Sequence, residues 1–577
     1  MSFSSQKGKC KLTEKGSLCP EPFCPSLVAG PTLSRRRFGH PKYGIITGME
    51  KIATDIYSFE NLRKDGFVYV DKTDLLWRLA AKNEGRQFFI SRPRRFGKSL
   101  MLSTLKCIFE GKRELFKGLK IDRMRYDWAK YPVVMLNMAD VVAPSVDKLR
   151  ENLLSLVKEL IRSFRLKDVE VVSEPGMTFR NFFKALAAAK GEFVVLIDEY
   201  DVPLQGFFGD RKSLVAVREM MHDFYIQLKN NEANIRFLML TGVTKLTKVS
   251  VFSGLNHLTD LTMKRKEYAA MLGYTPKEIA AFFPHRLDAL AKKNKTDRQG
   301  ALKLILDWYD SYRFSHLSTA RVCNPISVGQ ALAACALQSY WVGTAVSTLV
   351  MERIAAANKT PADFEGCTAT VEELDLCEAT ELPAKSLMYQ SGYLTIKGLS
   401  KTEVDEIGNP KFILGAPNHE VRGAIRAGWF NSIIKVPSTE FDALVDVAKR
   451  QIAAGDVRAL VGESLYRIYA KIPPEWKIRS EADVKRHFRL FMEMLGAKVA
   501  AEEGSAFGYA DAIVETKRFV WVFEFKFNKS ATAAIRQIRE KGYADAYKGD
   551  RRPVTLVGIN FRTAKRNIDE PLFAVMR

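Results

Sequence analysis

Histidine and cysteine are scarce in this chain, at 7 and 8 of 577 residues. Eight cysteines over that length are too sparse for a disulfide framework. Cys10, Cys19 and Cys24 cluster near the start, but no Cys or His partners at zinc spacing follow them, which argues against a metal site there. The other five are scattered and suit small buried hydrophobes in a reducing compartment. A membrane-length apolar run is missing too. The best candidate, "VGQALAACALQSYWVGTAVSTLV" (Val328 to Val350), is broken by Gln330, Gln338 and Ser339 and suits a buried helix followed by a loop. "SRRRFG" (Ser34 to Gly39) has the form of a twin-arginine signal, but no apolar run follows it, so export is rejected. A cytoplasmic protein with no membrane partner is expected. Acidic residues are also in deficit, 66 against 89 Lys and Arg, leaving a formal charge of +23. A surplus of that size favours polyanionic partners, nucleic acid first and DNA ahead of RNA, although a generally basic, well-solvated surface would show the same balance.

What is present has the composition of a soluble globular protein, 47% apolar and 27% charged, and the length calls for two to four domains. Residues 1–48 are rich in Ser, Pro, Lys and Cys and show no hydrophobic period, so they are expected to be a disordered basic extension. Met49 opens a folded stretch, and an overextended gene start explains the extension as well as a functional tail does. From 49 to 260 strand-like runs ("RQFFIS", "YPVVMLNM", "EFVVLIDEY", "IRFLMLTGV") alternate with helical patterns at Lys98 to Phe109, Ser145 to Phe164, Thr178 to Ala189 and Leu214 to Lys229. Near-continuous apolar strands separated by helices indicate α/β architecture, a parallel sheet covered on both faces. Residues 261–435 look mostly helical, a lid or connector. Residues 436–577 close the chain with a smaller α/β domain: a helix, then strands at "GYADAIVET", "RFVWVFEFKF" and "RPVTLVGINF", with the helix "ATAAIRQIREKGYADAY" between the last two. No internal repeat is visible.

Two constellations carry chemistry. The first is "RPRRFGKS", in which Gly97 permits a tight turn and backbone N–H groups can wrap a phosphate at a helix N-terminus. Lys98 would reach the β- and γ-phosphates of a nucleotide and Ser99 would ligate Mg²⁺. Arg92 stands where such loops usually have their first glycine. Arg94 and Arg95 either complement phosphate charge or cap the surface. "FVVLIDEYD" supplies a buried strand ending in Asp198, placed to hold Mg²⁺ through its water shell, and Glu199, able to polarise an attacking water. The bland reading of that pair is an acidic cap on the next turn. "VVMLNM" lies between the loop and the acidic pair in sequence and "FLMLTGVTK" follows. This is the order expected when an extra strand separates the two sites, with Thr241 at a strand end to sense the γ-phosphate.

The second constellation is "GYADAIVETKRFVWVFEFKF", in which Asp511 precedes Glu524 by thirteen residues and Lys526 follows by two. Glu524 and Lys526 leave one face of a strand with Val522, while Phe523, Phe525 and Phe527 leave the other. Two carboxylates from a hairpin plus a lysine can hold one or two Mg²⁺ ions, or Mn²⁺, and orient a water for phosphodiester cleavage. Glu481 on "EADVKRHFRLFMEML" could be a third carboxylate ligand, and Gln537 and Tyr543 extend the pattern. The competing reading is a cross-strand ion network on a solvated face, but flanking aromatics would make unused charge there costly.

Together, "YVDKT", "RPRRFGKSL", "LIDEYD", "LTGVTKLTKVSVFSGLNHLTDLT", "WYDSYRF", "FEFKF" and "GYADAY" resemble bacterial AAA-ATPase-like proteins fused to a C-terminal PD-(D/E)xK nuclease domain, over about residues 50–570. The resemblance implies a P-loop NTPase sheet followed by a restriction-endonuclease-like domain, and ATP and Mg²⁺ as cofactors. It implies Gly97, Lys98, Ser99, Asp198 and Glu199 as nucleotide-site residues. For the nuclease it implies Glu481, Asp511, Glu524 and Lys526, with Gln537 and Tyr543 supporting. It also makes Arg92 in place of the first glycine a family pattern. One departure is "GYAD", where relatives more often carry a basic or hydroxyl residue between Gly508 and Asp511. The expected function is ATP binding and hydrolysis coupled to a nuclease, in defence or mobile-element biology, with self-association left open. The rival expectation is a nucleotide-switched binding protein whose nuclease fold is non-catalytic.

Overall fold

In the computed structural model, the described residues are 49–576 except 82–83, 246–257, 342–347, 358, 360, 376–382, 435–437, 473–477, 496, 498, 501–503 and 506–507. The expectations for residues 1–48, including the three N-terminal cysteines, fall outside them. The first sheet is built from β1 (Gln87–Ser91), β2 (Val133–Asn137), β3 (Phe193–Asp198), β4 (Ile235–Gly242) and β5 (Thr259–Asp260), in the order β2-β3-β4-β1-β5. All neighbours are parallel. β1, β3 and β4 are buried at every position, which explains their unbroken apolar sequences.

Alternate residues divide between two cores. Phe88, Ile90, Val194, Leu196, Phe237 and Met239 join Leu102, Leu105 and Phe109 of the Lys98–Phe109 helix. On the opposite face Phe89, Val195, Ile197, Leu238 and Leu240 pack with residues of the Val146–Ser163, Pro175–Lys190 and Arg211–Asn230 helices. Each fully buried Leu or Phe contributes about 1.5–3 kcal/mol. The helix starts follow local chemistry: Ser145 caps Lys148 N–H, Pro175 occupies the first turn, and Asp210 accepts from Lys212 and Ser213 N–H.

The strand order refines the expectation from sequence. The strand that separates the loop after β1 from the acidic end of β3 is β4. "VVMLNM", which lies between them in sequence, forms β2 at the sheet edge.

The stretch after β5 is mostly helical, and Val328 to Val350 begins as the Pro325–Ala334 helix, whose C-cap is the left-handed Cys335. It also contains a three-stranded antiparallel sheet of β6 (Thr368–Ala369), β7 (Thr395–Val404) and β8 (Pro410–Gly415), ordered β6-β8-β7, which the helical expectation missed. The outer half of β7 is largely exposed, so it lacks the apolar alternation that marks a strand in sequence.

The C-terminal sheet is ordered β15-β14-β13-β12-β9, from β9 (Val499–Ala500), β12 (Ala512–Glu515), β13 (Val520–Phe527), β14 (Val554–Arg562) and β15 (Asn567–Val575). A short β10 (Gly504–Ser505) pairs with β11 (Gly508–Tyr509) beside it. β12 and β13 form the expected hairpin, and β13 runs parallel to β14 through the Ala531–Glu540 helix. That helix stops at Glu540, so "KGYADAY" is turn and 3₁₀ structure, where a continuous helix was expected. Phe523 and Phe525 face Phe488 of the Glu481–Met494 helix, while Val520 and Val522 face Ile535 and Ile538. All described residues belong to one unit, and Trp429 of the His419–Ile434 helix packs its ring 5.8 Å from His487.

Candidate functional sites

The segment Arg92–Phe96 leaves β1 and turns into the Lys98–Phe109 helix through Gly97, whose φ of 90° lies in the left-handed region. Ser99 in the first turn donates to Asp198 Oδ2 at 2.5 Å, and Thr241 at the end of β4 donates to Asp198 Oδ1 at 2.5 Å. Glu199 N–H also donates to Asp198 Oδ1, at 3.1 Å. Three residues chosen from sequence, on three separate elements, therefore meet at one carboxylate.

Lys98 is buried and donates to Arg92 O and Pro93 O at 2.8 and 3.0 Å, holding the loop from inside. Burial lowers its pKa, opposed by the nearby Asp198, Asp201 and Glu199. Glu199 adopts a left-handed φ of 52°; burial raises its pKa, and Asp198 adds to that. A strained backbone at the acid that follows the strand is the kind of outlier that gathers at active sites.

The arginines separate by role. Arg92 is 1% exposed and donates to Ser91 O at 2.8 Å and Thr262 O at 3.0 Å, with its guanidinium 4.4 Å from the Phe314 ring centre. Burial lowers its pKa to about 10. It braces the loop against the helical region. Arg95, at φ 69°, donates to Tyr340 O at 3.3 Å, and exposed Arg94 reaches Gln205 at 3.4 Å. The helical region also touches the loop at Gly392: a Cβ there would sit 2.7 Å from Pro93 Cγ, and its φ of +86° independently requires glycine. Sequence reasoning passed over Asp201. Fully buried, it accepts from Val243 N–H, Thr244 N–H and the Thr244 hydroxyl, fixing the exit of β4.

At the second site Glu481, Asp511 and Glu524 bring a ligand atom each within 4.8 Å of one another, a group able to hold a metal ion. Asp511 lies just before β12, and Phe525 N–H donates to its Oδ2 at 2.8 Å. Glu524 is 1% exposed and Lys526 6%, so the alternative of a solvated ion network on an open face does not describe this site. Lys526 Nζ donates to Glu524 Oε1 at 2.8 Å and Phe525 O at 3.0 Å. Glu524 Oε2 is buried with no hydrogen-bond partner among the described residues, and its carboxyl is pushed up to about 7, first by burial and then by Asp511. A buried orphan oxygen beside two further carboxylates fits a divalent cation with oxygen ligands. Gln537 donates to the Tyr543 hydroxyl at 3.2 Å.

One residue here escaped the sequence reading. Lys485 lies 2.6 Å from Asp511 Oδ1 and 3.1 Å from Glu481 Oε1. Pairing with Asp511 and Glu481 raises its pKa in spite of burial, which acts the other way. Its position one helical turn after Glu481, hence on the same face, was the available signal.

Comparison with known proteins agrees with this geometry. Residues 53–252 match the family model described as "Predicted AAA-ATPase", and residues 479–571 match the PD-(D/E)XK nuclease superfamily. A curated relative, an uncharacterized protein in the vnfD 5′ region of Azotobacter chroococcum mcd 1, is 30% identical over 534 residues, 90% of this chain and 98% of the relative. The chain belongs to the AAA-ATPase-like family with a C-terminal PD-(D/E)XK nuclease domain. Among solved structures, the Aeropyrum pernix ORC1 protein in complex with DNA is 10% identical, covering 61% of this chain and 91% of that one, at a TM-score of 0.23. The Aeropyrum pernix ORC2 protein is 11% identical, covering 75% and 85%, at 0.26. Superpositions this loose add nothing to the assignment of the AAA-ATPase-like domain, which its strand order and sequence match carry. Among the described residues no helix is long and apolar enough to cross a membrane.

Proposed function

We propose that this AAA-ATPase-like protein binds and hydrolyses ATP and that its C-terminal domain is a Mg²⁺-dependent nuclease acting on nucleic acid, DNA in preference to RNA. The observation that carries the nuclease reading is the convergence of Glu481, Asp511 and Glu524 within 4.8 Å, together with the unpartnered Oε2 of Glu524. These three would hold the ion. When bound, a divalent ion supplies charge neutralisation at the phosphate and a more acidic water. Lys526 fixes Glu524 through its 2.8 Å contact and places a positive charge next to the phosphate under attack. Phe525 N–H orients Asp511. In the reaction a water oxygen bonds to phosphorus and releases a proton to solvent, the bond to the leaving sugar oxygen breaks, and that leaving oxygen takes up a proton.

At the nucleotide site, Gly97 and the following amides would cradle phosphate, with Lys98 exchanging its loop carbonyls for the β- and γ-oxygens. Ser99 and Asp198 would hold Mg²⁺, Glu199 would orient the attacking water, and Thr241 would respond to the γ-phosphate. Support comes from the direct Ser99–Asp198–Thr241 linkage.

A second reading has its own support. Lys485 sits between two of the three carboxylates and partly neutralises them, which suits a non-catalytic nuclease fold in a nucleotide-switched binding protein. One experiment separates the two: purified chain with labelled DNA and RNA, Mg²⁺ or Mn²⁺, with and without ATP. Metal-dependent cutting that disappears in Asp511→Asn supports the enzyme. Cutting by Asp511→Asn at the wild-type rate overturns the site.

A further inference from the structure

Two lysines enter the nuclease site, and they hold its carboxylates differently. Lys526 donates to Glu524 Oε1 at 2.8 Å and leaves Glu524 Oε2 without a partner among the described residues. Lys485 lies 2.6 Å from Asp511 Oδ1, while Asp511 Oδ2 accepts the Phe525 N–H at 2.8 Å, so both Asp511 oxygens are met. Lys485 also lies 3.1 Å from Glu481 Oε1. It therefore bridges two of the three residues that converge within 4.8 Å. A divalent ion that uses Asp511 must share or take one of these two oxygens. The Phe525 amide belongs to β13, which is paired along its whole length to β14 and holds that donor in place. Lys485 is free to swing: its ammonium ends a flexible four-carbon stem, and its side chain is 34% exposed.

Charge leads to the same residue. With Glu481, Asp511 and Glu524 ionised, Lys485 and Lys526 leave these five groups with a single net negative charge. A divalent ion reverses that to a single net positive charge and sets Lys485 beside a like charge. One phosphodiester group carries the negative charge that restores the balance. On its own helix Lys485 has Glu481 and Ala482 one turn before it and Phe488 and Arg489 one turn after it, so Glu481 is the only acid along that face. Once an ion holds Glu481 and Asp511, the anion left for Lys485 is a phosphate of the strand at the metal site.

We propose that Lys485 is a displaceable counter-ion of the nuclease metal site: it competes with a divalent ion for Asp511 and Glu481 and, once displaced, contacts a phosphate of the substrate strand. This rests on the nuclease reading above. It couples metal to substrate, because the ion releases the lysine that the phosphate needs and the phosphate draws off the lysine that opposes the ion. By linkage each then strengthens binding of the other by the same factor. The contact of Lys485 with two carboxylates thereby gains a role in an active nuclease.

The test uses the full chain, with calorimetric Ca²⁺ titration, anisotropy of a fluorescent single-stranded 20-mer DNA with and without Ca²⁺, and cleavage at saturating Mg²⁺. Asp511→Asn is the blank for Ca²⁺ held elsewhere on the chain. Lys485→Met and Lys485→Gln both remove the charge, and melting temperatures check that they fold. Both are expected to bind Ca²⁺ about tenfold more tightly than wild type, the direction for removing a competing cation. Their gain in DNA affinity on adding Ca²⁺ should be several-fold smaller than that of wild type, and their cleavage slower. Ca²⁺ affinity equal to or weaker than wild type in folded variants overturns the competition. Tighter Ca²⁺ binding with an unchanged gain in DNA affinity overturns the phosphate contact. Failure of the nuclease reading appears separately, as wild-type protein that binds Ca²⁺ and the 20-mer but never cuts it in Mg²⁺.

Discussion

The two acidic sites of this chain are solved differently by the fold. Asp198 is buried, yet both of its oxygens are met, by the Ser99 hydroxyl of the helix after the loop, the Thr241 hydroxyl of β4 and the Glu199 amide, and Lys98 is satisfied by carbonyls of its own loop. Glu524 is just as buried, but one of its oxygens is unmet and its carboxyl is pushed up to about 7. At the first site the hydrogen bonds of Asp198 and Lys98 close within the chain. The second carries a deficit that a cation would remove. A buried acid can therefore have both oxygens met within the chain or leave one unmet, and only the second arrangement carries a standing deficit.

Four measurements can break or sharpen that contrast. The largest effect is expected at the nucleotide site. Glu199→Gln should keep ATP affinity while turnover falls about 10²–10⁴-fold, the range for losing a general base. Lys98→Ala should instead lose Mg·ATP binding, read by calorimetry; equal affinity in wild type and Lys98→Ala would remove the nucleotide assignment.

At the nuclease site, Asp511→Asn should weaken divalent-metal binding at least as much as the 10–100-fold typical of supporting residues, about 100-fold or more. Cleavage should fall with it while DNA binding persists or tightens. Lys526→Ala should stop cleavage and spare metal binding, because lysine is not a ligand. Neither change should alter ATP turnover, and a drop in it would show that the two sites are not independent.

The third effect concerns pH. The folded-state pKa of Glu524 is about 7, above its ordinary 4.5. Between those values the folded chain keeps a proton that the unfolded chain has lost, so Glu524 makes stability fall as pH rises through that window. Melting curves in EDTA from pH 4.5 to 8 should flatten in Glu524→Gln, with the variant more stable than wild type at the alkaline end. Parallel curves would mean the unmet oxygen costs nothing.

The smallest effect belongs to Arg95. Its φ of 69° costs about 1 kcal/mol in a residue with a side chain. Arg95→Gly removes that strain and the long contact to Tyr340, so the unfolding free energy from denaturant titration should shift by about 1 kcal/mol or less. A clear loss of ATP affinity in this variant would show that Arg95 contacts phosphate.

Much of this was legible in the sequence. Strands such as "FVVLID" are apolar throughout because helices cover both faces, and that pattern survives in one dimension. The Glu524–Lys526 spacing put both side chains on one face by strand geometry alone. The hairpin of β7 and β8 was not legible, since a half-exposed strand has no strong period. Lys485 was missed because its meaning depends on Asp511, twenty-six residues further along the chain.

The sequence by itself determined the buried strands and most helices of the two sheets, the turn at Gly97 and the shared strand face of Glu524 and Lys526, because each depends on neighbours within a few residues. Only the tertiary structure decided that β4 separates the loop from Asp198 and that Arg92 braces the loop instead of facing phosphate. It also decided that Glu481 and Lys485 come together at Asp511. Those facts depend on contacts between residues far apart in the chain, fixed by which apolar faces pack together, and no local pattern records them.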